Sequence, residues 1–444
     1  MRKNINKIIA FAIGVSVISG SIIPAFAADS TTNAATVAST TTTTSTAAAT
    51  TAKAQANVLT LDDAIKATIS ISNTLTLDEQ NIAYKDKEND LTKKQDDYTK
   101  ANDNKEKYDD NTSDTQLDQL KQQRDFDQDS LTQKVTDQYN SIVTQQMQID
   151  MATKNLAVEN KKLENAKLEQ NLGIATSIST ETNELQIQKD QNSLTTAQNN
   201  LKDAEYTFKV LTGKDVTQYT LEKDIKFEPF KVDGDINTYL DNIIESQLNY
   251  KEELLKISKD YYNDDEYEKD NNITTADMTA AATTAAEVSM PTIKADATGY
   301  ITLEDYNQYQ TALTNYTNDT NKYTVILSKR LTYLTAKLGN YQQDVTTANA
   351  KKQLKDQLKS YYTNIQTYEA NVDYCKKEME LYNEQLSNYK LKYDLGMMTE
   401  ADYNTQVVST LQAEIDLRSA IISYNQNKEY LQKPWIAAST ATLY

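Results

Sequence analysis

The chain has 444 residues, a net charge of −18, and 8 glycines, 4 prolines and no histidine. This acidity disfavours nucleic acid and anionic lipid as partners, because both are negatively charged themselves. Without histidine, a phosphate loop or a Cys-x-x-Cys motif, the sequence predicts no enzyme, no cofactor and no metal site. The small number of helix breakers predicts long uninterrupted helices instead.

Residues 1–27 have the pattern of a secretory signal peptide. Arg2, Lys3 and Lys7 form a basic start, an apolar stretch follows from Ile8 to Ile23, and Ala25-Phe26-Ala27 offers the small residues of a cleavage site. The alternative, a membrane anchor, is disfavoured because the apolar core is short and interrupted by serines and a glycine. We therefore expect the signal to be cleaved and the protein to be exported to the cell envelope.

A linker is expected to separate this signal from the folded part of the chain. Residues 28–57 are rich in Ser, Thr and Ala with almost no charge, which predicts a disordered segment. Ordered structure is expected from Thr60-Leu61-Asp62-Asp63, a pattern typical of a helix start.

Apolar residues then recur at every seventh position, which is typical of a coiled coil. The outgoing row comprises Val135, Ile142, Ile149, Leu156 and Leu163, and the return rows comprise Ile187, Leu194, Leu201, Phe208, Ala197, Ala204 and Leu211. Between them, Gly173 can end one helix in the left-handed conformation, and Thr176 or the serine after it can cap the next. The span from Gln116 to Leu172 predicts an outgoing arm of about 85 Å, at about 1.5 Å per residue.

The same unit returns 223 residues later, where Leu395-Gly396-Met397-Met398-Thr399 repeats the turn. At this offset Leu163 matches Leu386, and Leu168 matches Leu391. Two unrelated coiled coils explain matching apolar rows but not a shared turn, so a duplication is favoured. The sequence predicts an all-α fold of two long antiparallel coiled-coil hairpins, at 58–230 and 231–435. A polar insertion is expected near 263–305, and a tail at 436–444.

These features together resemble the TolC-type outer-membrane efflux protein family. The resemblance rests on the opening Leu59–Ile65 with Asn73, on the pair of Leu-Gly-x-x-Thr turns, and on the end of the first unit at Leu211-Thr212-Gly213. It implies a TolC-like α-barrel protomer that works as a homotrimer. It also implies that the hairpin tips dock a periplasmic-type adaptor protein, which connects to an inner-membrane pump.

The resemblance also implies roles for particular residues. The adaptor-contacting tips are Leu172, Gly173, Thr176, Leu395, Gly396 and Thr399, and the acidic pore constriction is Glu400 and Asp402. Ser179 stands at the position of Asp402 in the first copy, so an acidic ring would be thin. A second interpretation of Asp402 is a capping box with Thr399 at the helix start, and the two roles are compatible.

One departure from the family separates two hypotheses of function. Family members that cross an outer membrane insert β-strands opposite the tips, but Asp96–Thr115 and Asn263–Asp305 lack the alternating pattern of such strands. The first hypothesis is a non-enzymatic export conduit. The alternative is a secreted coiled-coil scaffold or spacer of the cell envelope without transport activity.

Overall fold

A computed structural model describes residues 57–174, 176–263 and 266–441, with side chains as far as residue 437. The predicted signal peptide and residues 28–56 of the predicted linker lie outside the described residues. Almost all of the described chain is helical, and four of its helices pair into two long hairpins. The predicted all-α class is confirmed.

The first half contains one short strand and four helices. In chain order they are β1 (Val58–Leu59), α1 (Leu61–Ile71), α2 (Asn73–Thr99), α3 (Asp103–Asn171) and α4 (Ser177–Thr212). The predicted helix start is present, because the Thr60 hydroxyl accepts a hydrogen bond from the Asp63 backbone N–H at 3.2 Å. Regular structure begins slightly earlier than expected, since β1 pairs in parallel with a strand at Thr220–Leu221.

The second half begins with a 3₁₀ turn and that second strand. The elements are the 3₁₀ turn Val216–Gln218, β2 (Thr220–Leu221), α5 (Ile236–Tyr261), α6 (Glu266–Asp270), α7 (Thr275–Glu287), α8 (Leu303–Asp394), α9 (Glu400–Gln432) and α10 (Pro434–Ala441). The region of the predicted insertion therefore holds two helices, and α7 starts with a capping box between Thr274 and Asp277.

The long helices exceed the length predicted for an arm. The helix α3 has 69 residues and α8 has 92, which correspond to about 104 Å and about 138 Å. The estimate from Gln116 was too short because α3 already begins at Asp103, where Asn102 caps the Lys105 backbone N–H at 2.8 Å. Polar residues 103–115 continue the helix although they carry no apolar row. No helix among the described residues is long and apolar enough to cross a membrane.

The helices form a layer, and the order of adjacent helices differs between its two ends. Toward the hairpin tips the order of contacts is α4–α3–α9–α8, and toward the other end it is α2–α3–α5–α8. The edges of the layer are therefore α2 or α4 on one side and α8 on the other. Two separate apolar cores form, one around Ile142 and Phe208, which Ile415 of α9 joins, and one around Leu358 and Ile421.

Two buried tyrosines hold the segment that connects the halves. The Tyr139 hydroxyl donates to the Leu59 carbonyl at 2.7 Å and accepts from the Glu222 N–H at 2.8 Å. The Tyr424 hydroxyl donates to the Glu228 carbonyl at 3.1 Å and accepts from the Phe230 N–H at 2.6 Å. Both side chains thereby satisfy backbone groups that a non-repetitive segment leaves unpaired.

A buried arginine joins the two hairpins. Arg418 on α9 is only 4% exposed and donates to the Asn140 side-chain oxygen at 2.8 Å and to the Thr144 hydroxyl at 3.3 Å. It also donates to the Lys223 carbonyl in the connecting segment. Burial lowers the pKa of Arg418, because charge is less stable away from water. Its neutral acceptors connect α9, α3 and the connecting segment at one point.

Candidate functional site

The first hairpin tip is a tight turn fixed by backbone hydrogen bonds. After α3 ends, the Gly173 N–H donates to the Gln170 carbonyl at 3.0 Å, and the Ile174 N–H donates to the Glu169 carbonyl at 2.9 Å. This pair of bonds is a Schellman motif, which satisfies carbonyls that the end of a helix leaves free.

The second tip has the same motif at the matching positions. The Gly396 N–H donates to the Tyr393 carbonyl at 2.9 Å, and the Met397 N–H donates to the Lys392 carbonyl at 2.8 Å. Gly173 and Gly396 have φ angles of +75° and +68°, which side chains disfavour and glycine accepts. The predicted role of both glycines as left-handed helix ends is confirmed by these angles.

The starts of the two return helices differ in their caps. Thr176 is the N-cap of α4, but its side chain caps no backbone N–H of the described residues. The Thr399 hydroxyl accepts from the Asp402 backbone N–H at 3.1 Å and also lies 2.7 Å from the Asp402 carboxylate, to which it donates. The Thr399 cap of the capping interpretation is therefore present, but the Asp402 carboxylate bonds the Thr399 hydroxyl, so among the described contacts the capping box is only half formed. This geometry does not test the pore role of Glu400 and Asp402, which stays a prediction.

The contact between the two arms also differs from tip to tip, although the positions correspond. At the first tip, the Thr180 hydroxyl donates to the Gln170 side-chain oxygen at 2.7 Å. At the second tip, the rings of Tyr393 and Tyr403 stack with their centroids 5.1 Å apart. Each pair is related to the other by the offset of 223 residues. The same backbone turn is thus closed by a hydrogen bond in one copy and by an aromatic stack in the other.

Both tips expose apolar side chains at corresponding positions. Leu168 and Leu391 are each 60% exposed, and Leu172 and Leu395 are 67% and 64% exposed. The third pair is Ile174 and Met397, which are 75% and 73% exposed. The first tip adds Ile178, whereas its counterpart Ala401 is buried. Each hairpin therefore ends in a matching triplet of solvent-facing apolar side chains, called the tip triplet below.

Charged side chains surround the tip triplets. Lys390 and Asp394 form an ion pair of 3.0 Å near the second tip, and this hydrogen bond raises the pKa of Lys390. At the first tip, Lys167 on α3 and Glu184 on α4 form an ion pair of 2.8 Å that bridges the arms. All four side chains are well exposed, so these pairs add little stability, and only the Lys167–Glu184 pair connects two arms.

The arrangement at both tips provides an exposed apolar surface for contact. No group of three or more acidic or Cys side chains suited to a metal occurs in the described part of the chain. The six predicted tip residues fall into two separate turns, three in each, as expected from the sequence. Leu168, Ile174, Leu391 and Met397 were not predicted as site residues. The repeated offset was the signal that pointed to them, because residues matched between two tips are candidates for a shared role.

The similarity between this chain and known proteins lies in the fold. No protein-family model matches the sequence, and no curated protein matches it. The solved structure of the outer-membrane channel OprN matches with a TM-score of 0.51 and 12% identity, covering 85% of this chain and 90% of OprN.

Two further structures are similar at lower scores. CusC, described as forming a transmembrane channel, has a TM-score of 0.49 and 11% identity over 85% of this chain and 91% of CusC. The outer-membrane protein VceC from Vibrio cholerae has a TM-score of 0.45 and 10% identity over 84% of this chain and 96% of VceC. At such identities the likeness concerns the fold alone. The resemblance to TolC-type channels that the repeated turns predicted is confirmed at the level of the fold.

Proposed function

We propose that this protein is a non-enzymatic, TolC-like component of an export conduit, which works as a homotrimer and docks an adaptor protein through its hairpin tips. The observation that carries the proposal is the pair of tips with matching backbone turns and matching exposed apolar positions. Each has a Schellman turn around a left-handed glycine and a tip triplet at the same three positions. The OprN-like fold supports the same reading.

The tip triplets are suited to bind a protein partner. Leu172 and Leu395 are each more than 60% exposed at the end of a long arm, where no other described residue covers them. An apolar cluster that is held in place by backbone hydrogen bonds loses little conformational freedom on binding. Such patches, rimmed by polar groups such as the Lys390–Asp394 pair, mark protein interaction sites. We infer that an adaptor of periplasmic type binds there and connects to an inner-membrane pump.

The acidic residues at the start of α9 would form a ring of carboxylates only in the assembled trimer. Glu400 and Asp402 are exposed in the first turn of α9, next to the second tip. In a homotrimer three copies of each carboxylate would surround one axis, and a ring of carboxylates attracts cations. The predicted signal peptide supports a location of this assembly in the cell envelope.

A test of the tips uses the source cells with the gene deleted and then restored. The variant Leu172→Asp/Leu395→Asp places a carboxylate in both tip triplets without touching a buried residue. The control is Leu303→Asp, since Leu303 is 75% exposed at the first residue of α8, far from the tips along the chain. We expect the tip variant to raise the accumulation of exported dyes to the level of the deletion strain, and the control to restore export.

The result that overturns the proposal is full export by the tip variant at wild-type protein levels. If deletion of the gene changes export of no compound while the envelope loses mechanical integrity, the alternative of a coiled-coil scaffold is correct. The trimer is tested separately by light scattering on residues 28–444, with and without detergent. An elongated monomer at every reachable concentration would exclude the conduit.

A further inference from the structure

Helices at the two edges of the layer carry apolar side chains on their outer faces. On α2 these advance by seven residues and form the α2 stripe, which comprises Leu77, Tyr84, Leu91 and Tyr98. On α8 they advance by four and three residues in turn and form the α8 seam, which comprises Leu327, Leu331, Leu334, Leu338, Tyr341 and Val345. All ten side chains are at least 44% exposed. The alternation of four and three residues is the a/d pattern of a coiled coil.

In its second half, the helix α2 buries polar side chains and exposes apolar ones, the reverse of an ordinary amphipathic helix. Its row facing α3 also advances by seven residues and consists of Leu75, Ile82, Asn89 and Asp96, of which all except Ile82 are fully buried. The Asn89 and Asp96 side chains each leave one buried oxygen without a hydrogen-bond partner among the described residues. A helix in a single chain normally buries its apolar row and exposes its polar row. The reversal indicates that the α2 stripe is made for a contact outside the chain.

The helix α8 carries apolar side chains on a buried face and also on an exposed face. Ile326 and Tyr333 point inward and are buried against Tyr267 and Ile273 of the α6–α7 region. The α8 seam faces away from this cluster and stays exposed even though α7 packs on α8. The α8 seam spans 19 residues and the α2 stripe 22, or about 27 Å and about 32 Å of helix between the first and last residue. The two surfaces are therefore of similar length.

The two surfaces also differ in charge. Over the α8 seam, residues 327–345 contain three basic residues and one acidic residue, Asp344, in a chain of net charge −18, and one of the basic residues, Arg330, pairs with Glu268. The helix α2 contains seven acidic and four basic residues. Two α8 segments placed side by side would repel each other, and so would two α2 helices. An α2 helix beside an α8 segment is the combination that charge favours.

We propose that the α8 seam of one copy of this chain packs against the α2 stripe of the next copy. The contact is heterologous, because two different edges of the layer meet. Repetition of such a contact closes a ring if the rotation between copies permits it, and the homotrimer under "Proposed function" is a ring of this kind. The inference rests on that proposed self-association, and it names the two faces that carry it.

The test uses residues 28–444 and measures the dissociation constant by sedimentation. Leu338→Lys places a charge in the α8 seam, and Leu91→Glu places one in the α2 stripe. Both residues are exposed in the single chain, at 57% and 66%, so helicity by circular dichroism should stay unchanged. We expect each variant to weaken association about 100-fold, because a buried leucine is lost and a charge loses water. The matched control, Leu303→Lys, should associate like the wild type.

Mixing the two variants tests whether unlike faces meet. In a mixture, the native α8 seam of the Leu91→Glu chain meets the native α2 stripe of the Leu338→Lys chain. Mixed species should therefore form where neither variant associates alone. Added salt should weaken the wild-type assembly, because it screens the attraction between the acidic and the basic face.

Three results distinguish the possible failures. If the wild type associates and Leu338→Lys associates equally well, the proposed faces are wrong although the homotrimer stands. If Leu91→Glu alone associates like the wild type while Leu338→Lys does not, α8 pairs with α8 and the heterologous contact is wrong. If the wild type stays monomeric at every concentration, the proposed function fails together with this inference.

Discussion

The left-handed glycine at the second tip predicts a measurable local effect of substitution. In Gly396→Ala a methyl group must adopt a φ near +68°, while a Cβ at this position would meet no described atom within 4 Å. The cost is therefore conformational and not steric crowding. The left-handed conformation costs about 1–2 kcal/mol for a residue with a side chain. The reduced freedom of the unfolded chain returns about 0.4–1 kcal/mol. The net loss is about 1 kcal/mol, or about a five-fold increase in the open population of the turn.

The assay is limited trypsin digestion, which reports local opening when reclosing is fast. The bond after Lys392 is the reporter, because its carbonyl accepts the Met397 N–H at 2.8 Å only while the Schellman turn is closed. Cleavage there should be about five-fold faster in Gly396→Ala, and nearly unchanged in Gly396→Asn, because Asn tolerates this conformation.

A second glycine serves as the matched control. Gly339 lies inside α8 without a positive φ, and a Cβ there would meet no described atom within 4 Å. Gly339→Ala should therefore stabilise the helix by about 1 kcal/mol and leave cleavage after Lys392 unchanged. The reasoning is refuted if Gly396→Ala is cleaved no faster than the wild type, or if Gly339→Ala accelerates the same cleavage.

Three further predictions concern buried polar groups. Replacing Arg418 by Met should lower the free energy of unfolding by at least about 3 kcal/mol in urea titrations, since its acceptors are left unpaired; a loss below 1 kcal/mol would contradict this. Tyr424→Phe should cost about 1–3 kcal/mol in the same assay, because the Phe230 N–H loses its acceptor. Burial raises the pKa of Asp127. The pKa of Asp78 is raised by burial and, secondly, by the negative charge of Asp127 nearby. Both carboxyls thus stabilise the α2–α3 pair below their unfolded pKa of about 3.9, and this stabilisation disappears as pH rises through the raised values. Relative to the wild type, Asp127→Asn should slow amide exchange of α2 at about pH 7 and leave it unchanged at about pH 3. Equal slowing at both pH values would refute this pH dependence.

The sequence predicted the parts of the fold in which an apolar row is buried within the chain. Val135, Ile142 and Phe208 lie on the predicted rows and are buried in the first core. The tip turns were predictable because a left-handed helix end requires glycine at one defined place. Both conclusions depend on local rules, which a single sequence displays.

The sequence did not predict the front of α3 or the orientation of α2. Residues 103–115 are helical without an apolar row, because a cap at Asn102 and continuity with the rest of α3 are sufficient. The row Leu77, Tyr84, Leu91 would be assigned to the core by its spacing, yet it faces outward in the single chain. Spacing shows which residues share a face, but not whether the partner of that face lies in the same chain.

The two matching tips separate what the fold requires from what a partner can recognise. The Schellman turns use backbone groups and one glycine each, so the neighbouring side chains are free to diverge between copies. They have diverged between the arms, where Thr180 in one tip corresponds to Tyr403 in the other. They have not diverged at the tip triplets, whose exposed positions are apolar in both copies. Solvent-exposed positions gain no folding stability from apolar character. Retention of that character at three matched positions is therefore best explained by a contact that each hairpin makes with a partner, and this is the basis for assigning the docking role to the tips.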